Sequence, residues 1–168
     1  MGYMDRLDDY ACRIQTWASW RDKISESPTQ LLQRINENKV LKDIESGDKN
    51  LLPDSVEGHS GPGERAIQLV QEALIEVRIM KRPEGKCLPP KLGYYRKDTK
   101  EAIGILQDAA GIKIEKTKYL NGYGAVTEWE PAKGQRFGKD TLKALKIALT
   151  AHIQGKDWES VVKKAFGK

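Results

Sequence analysis

The sequence predicts a mainly α-helical protein. Three helices form the core, a helical hairpin precedes them, an amphipathic helix follows, and a short β-hairpin is inserted between the second and third core helices. Two observations carry this reading. Apolar residues recur at spacings of three and four in successive stretches, and only the stretch around Asn121-Gly122 alternates instead. Helix-start and helix-stop residues also punctuate the chain where those stretches begin and end.

Met4, Leu7, Ala11, Ile14 and Ala18, with Tyr10 and Trp17 alongside, make an amphipathic stripe that predicts a helix from about Asp5 to Lys23. Ser27-Pro28-Thr29-Gln30 announces the next: a Ser N-cap, Pro at the first helical position and Gln placed to reach back to the cap. Its apolar face is Leu31, Leu32 and Ile35, extended by Val40, Leu41 and Ile44. The short connection around Glu26 makes these two an antiparallel hairpin over residues 1–47. Asp48, Asn50, Pro53, Asp54, Gly58, Gly61 and Pro62 crowd into a linker over 48–63.

Residues 64–153 then carry the core. Ile67, Val70, Leu74 and Val77 predict a helix ending near Lys81, ahead of Pro83 and Gly85. A second starts at Lys97 or Asp98 and runs through Ala102, Ile103, Leu106 and Ala110 to Gly111, a residue suited to a left-handed cap. A third spans about Lys139 to Ile153 on Leu142, Leu145, Ile147 and Leu149. Between them Tyr119, Tyr123, Val126 and Trp129 are the candidate strand residues. Trp158, Val161, Val162 and Phe166 predict an amphipathic helix within 154–168.

The chain has 168 residues and a net charge of +5, divided unevenly: residues 1–61 hold 8 basic against 11 acidic side chains, the remainder 21 against 13. A basic half favours acidic partners, among them wall polymers and stem peptides, nucleic acid and acidic protein surfaces. The lysines are spread over several helices without a recognition-helix pattern, which makes nucleic acid an unlikely ligand. No signal-peptide core or membrane span is visible. Cys12 and Cys87, far apart in unrelated contexts, read as ordinary thiols, although a protein working outside a cell would leave a disulfide between them open.

The first turns of the last two core helices repeat: Lys97-Asp98-Thr99-Lys100-Glu101-Ala102-Ile103 matches Lys139-Asp140-Thr141-Leu142-Lys143-Ala144-Leu145, and Tyr95 and Phe137 each stand two residues ahead. Acid and Thr in a first turn suit the positive helix end and its unpaired amides, and the aromatic would anchor the loop to the core. Together with Ile67, Val70, Gln71 and Leu74, then Gly93, Leu106, Gln107, Gly111 and Ile112, then Gly138, this ordered pattern resembles the peptidoglycan-binding domain family over residues 62 to about 150. The resemblance implies a compact three-helix module that recognises cell-wall peptidoglycan. Arg96 and Lys97 stand where that family has Gly-Pro, Lys139 stands where a Pro is common, and the connection from Ile112 to Phe137 is much longer.

Candidate ligand-binding residues fall in three groups. Tyr94, Arg96, Lys97 and Asp98 mark one helix entrance; Arg136, Lys139 and Asp140 mark the equivalent one; Tyr119, Tyr123 and Trp129 belong to the insert. Helix-start amides with Arg or Lys hold carboxylates, and aromatic faces stack on sugars or close over a core. No catalytic set is complete: His59 and His152 are too few for a zinc site, no phosphate loop is present, and Glu26-Ser27 with Gln30 is accounted for by helix capping. The expectation is a binding protein without cofactor, metal or catalytic residues. It would be made in the cytoplasm and act at the wall after lysis or particle-mediated delivery. The alternative is a structural, cargo or docking component of a phage tail or contractile injection particle, with a particle or enzyme partner seated on the terminal helices.

Overall fold

A computed structural model describes residues 27–53, 61–80, 93–114, 116–120 and 123–167. The protein is mainly helical. In chain order the elements are α1 (Pro28–Glu37), α2 (Lys39–Glu45), α3 (Gly61–Glu76), α4 (Lys97–Ala110), β1 (Thr117–Leu120), β2 (Val126–Trp129), α5 (Lys139–Ile153) and α6 (Trp158–Ala165). The helix expected over Asp5 to Lys23 lies outside the described residues, as do both cysteines.

The capping box forms as its spacing requires: Gln30 N donates to Ser27 Oγ at 3.2 Å and Ser27 N to Gln30 Oε1 at 3.1 Å. What the spacing predicts as one helix is two. Asn38 turns extended (φ −69°, ψ 125°), ends α1, and caps α2 by accepting from Leu41 N at 3.0 Å. Leu31, Ile35, Leu41 and Ile44 are all buried in the same apolar cluster as the later helices. The segment after α2 also enters that core: Leu51 and Leu52 are buried, and Leu51 exchanges both backbone hydrogen bonds, 2.9 Å each, with Phe137 just ahead of α5.

α3 starts at Gly61 and stops at Glu76, shorter at its C-terminus than the apolar spacing predicts. The stop is a Schellman turn: Arg78 N donates to Ile75 O and Ile79 N to Leu74 O, with Arg78 at φ 65° in the left-handed region. α4 ends the same way on Gly111 at φ 66°, where Ile112 N reaches Gln107 O at 3.0 Å.

α3, α4 and α5 supply most of the core. Ala66, Val70, Ala73, Leu74, Ile103, Leu106, Ala144, Leu145, Ala148 and Leu149 are nearly solvent-free. The many alanines let the helix backbones approach closely. α6 docks on α4 and α5 through Val162, with Trp158 and Phe166 half-buried at its edges. Polar links to α5 include Lys146 Nζ to Glu45 at 3.0 Å and His152 Nε2 to Glu76 at 3.1 Å.

β1 and β2 pair antiparallel, Thr117 opposite Trp129 and Leu120 opposite Val126. Tyr123 sits in their connection, not in a strand, and is 98% exposed; Val126 is 69% exposed. The described part of this hairpin makes no substantial packing contact with a helix.

Candidate functional site

Two buried glutamines build both helix entrances. On α3, Gln71 Nε2 donates to Tyr94 O and to Thr99 Oγ1, both at 2.8 Å, while its Oε1 accepts from Gly93 N at 2.7 Å. On α4, Gln107 Nε2 donates to Arg136 O at 2.7 Å and Thr141 Oγ1 at 3.0 Å, while its Oε1 accepts from Gly134 N at 2.8 Å. Each amide thus satisfies a loop carbonyl, a loop amide and the Thr of the next helix. A buried side-chain amide needs such partners for donors and acceptor alike. The Thr of each Lys-Asp-Thr repeat therefore serves a long-range bond. Neither Arg96 nor Gly138, the N-cap residues, makes a side-chain cap.

The aromatic two residues ahead of each helix plugs the loop into the core, Tyr95 at 1% and Phe137 at 0% exposure. Burial pushes the Tyr95 phenol far above its ordinary value, so it stays protonated and donates to Gly134 O at 2.5 Å. That bond joins the first entrance loop to the second. Gly134, at φ 80°, lies so close to α4 that a Cβ there would overlap the Lys100 carbonyl.

Thr99 and Thr141 bond to glutamines on different helices, and Thr99 stands eight residues before Gln107 along α4, about 12 Å. The two clamps are therefore set apart along α4, while the Tyr95–Gly134 bond and the groove between Lys97, Lys100, Lys133 and Gln135 bring their loops together. Around α5, Arg136 lays its guanidinium beside Gly138, with Nε buried and unpartnered, and Asn50 Oδ1 comes close to the same glycine. Lys139 and Asp140 are exposed in the first turn beyond. At the α4 entrance Arg96 is exposed and stacks over the Tyr94 ring at 4.5 Å, a cation–π contact.

Lys97 and Asp98 diverge. Lys97 lines a groove of about 570 Å³ with Lys100, Gly104, Lys133 and Gln135, closed on one side by the Lys133–Asp108 ion pair. Asp98 lines a second, of about 340 Å³, with Arg78, Ile79, Trp158 and Glu159. Glu101 and Ile105 line both, so the half-exposed Ile105 is a ridge between them. Arg136, Lys139 and Asp140 line neither groove. Trp129 is half-buried at the end of β2, and the side chain of Tyr119 lies outside the described residues.

Sequence reasoning placed Lys97 and Asp98 at the helix start but missed Lys100, Glu101, Ile105 and Lys133, which share the grooves. An apolar Ile105 on the polar side of the α4 stripe was the available signal. Among the described residues no group of histidine, cysteine and carboxylate side chains is arranged to hold a metal, and no helix is long and apolar enough to cross a membrane. The chain matches no family model, no curated protein and no solved structure.

Proposed function

We propose that this protein is a non-catalytic binding module for bacterial peptidoglycan or a wall-derived peptide, and that the outer face of α4 receives the ligand. The observation that supports this most is the duplicated clamp. Gln71 and Gln107, each bridging a loop and the Thr of a Lys-Asp-Thr turn, occupy the positions on which the resemblance to peptidoglycan-binding domains rests. The loops are thus held by core hydrogen bonds, which leaves Lys97, Lys100 and Ile105 free of scaffold duty. Lysines in an open groove suit the carboxylates of a stem peptide. Action at the wall would follow lysis or delivery by a particle.

Sedimentation with insoluble peptidoglycan from Gram-negative and Gram-positive walls tests the reading, beside a Lys97→Ala, Lys100→Ala double variant of unchanged helicity. Binding that persists at moderate salt and falls in the variant supports it; absence of binding to either wall contradicts it.

A second reading, a docking component of a phage tail or contractile injection particle, is favoured by the projecting hairpin. Tyr123 and Val126 are exposed there at 98% and 69%. An isolated two-stranded hairpin is marginal in water, and an exposed apolar tip gains most from a protein partner.

A further inference from the structure

We draw no further inference here: the strongest candidate, the start of α5 where Arg136 sets a buried, unpartnered Nε beside a first turn without a side-chain cap, is a helix N-terminus whose arginine is only partly buried, and no second feature of the structure points to a ligand there.

Discussion

Replacing Gln107 by Met removes one polar clamp while keeping nearly the same volume, which separates hydrogen bonding from packing. The wild-type amide makes contacts of 2.7, 3.0 and 2.8 Å to Arg136 O, Thr141 Oγ1 and Gly134 N. The Thr141 hydroxyl loses one donor but keeps its own O–H to donate elsewhere, whereas Arg136 O and Gly134 N are left facing a thioether. Each unsatisfied backbone group costs about 1–3 kcal/mol, so Gln107→Met should destabilise the protein by about 2–6 kcal/mol. Against a total of about 5–15 kcal/mol for a domain, that is a large fraction. Urea unfolding followed by far-ultraviolet circular dichroism reads it as a lower midpoint at unchanged slope. Combining it with Thr141→Val should cost less than the two singles together, because they break one shared bond. A change below about 0.5 kcal/mol, with Gly134 amide exchange as slow as before, would refute the clamp.

Other expectations follow from the same geometry. Gln107→Glu places a carboxylate against Arg136 O, which raises its folded-state pKa above the unfolded value. Its stability should therefore be greatest below about pH 4 and fall as pH rises, the reverse of an ordinary paired carboxylate, and urea midpoints between acid and neutral pH check the sign. Arg78→Gly relieves a left-handed φ of 65° and should raise stability by about 1 kcal/mol, read as a higher melting temperature. Gly134→Ala should unfold or severely destabilise the chain, by more than about 3 kcal/mol, since a Cβ there overlaps the Lys100 carbonyl. Asp157, whose carboxyl is held below its ordinary range chiefly by the Ser160 side-chain and backbone hydrogen bonds, stabilises α6 above that range and loses the effect as pH falls; Asp157→Asn should flatten this part of the acid-unfolding profile.

What was legible in the sequence is what depends on neighbours along the chain. Ser27 with Gln30, Gly111 at the end of α4, and the buried Tyr95 and Phe137 ahead of their helices all follow from local chemistry, and the structure carries each. The early stop of α3 was not legible, because an arginine in the left-handed region has no sequence signal of the kind that Gly111 provides. Nor was the purpose of Thr99 and Thr141. A first-turn Thr reads as a capping residue, yet its partner is a glutamine 28 or 34 residues earlier. Leu51 and Leu52 looked like part of a linker because Asp, Asn and Pro surround them, while the pairing of Leu51 with Phe137 is a contact between distant segments. The groove residues divide in the same way: Lys97 and Asp98 are adjacent in sequence, but which flank of α4 each faces depends on Lys133, Gln135, Arg78 and Trp158 arriving from elsewhere.

On the proposed reading, wall ligand meets the α4 face while the clamps hold the loops rigid. Backbone amide NMR of the full chain, titrated with solubilised peptidoglycan fragments, tests it most directly. Shifts concentrated at Lys97, Lys100, Glu101 and Ile105, with slow exchange retained at Gly93 and Gly134, are the predicted result; shifts confined to the Tyr123–Val126 hairpin, or none at saturating fragment, would contradict it.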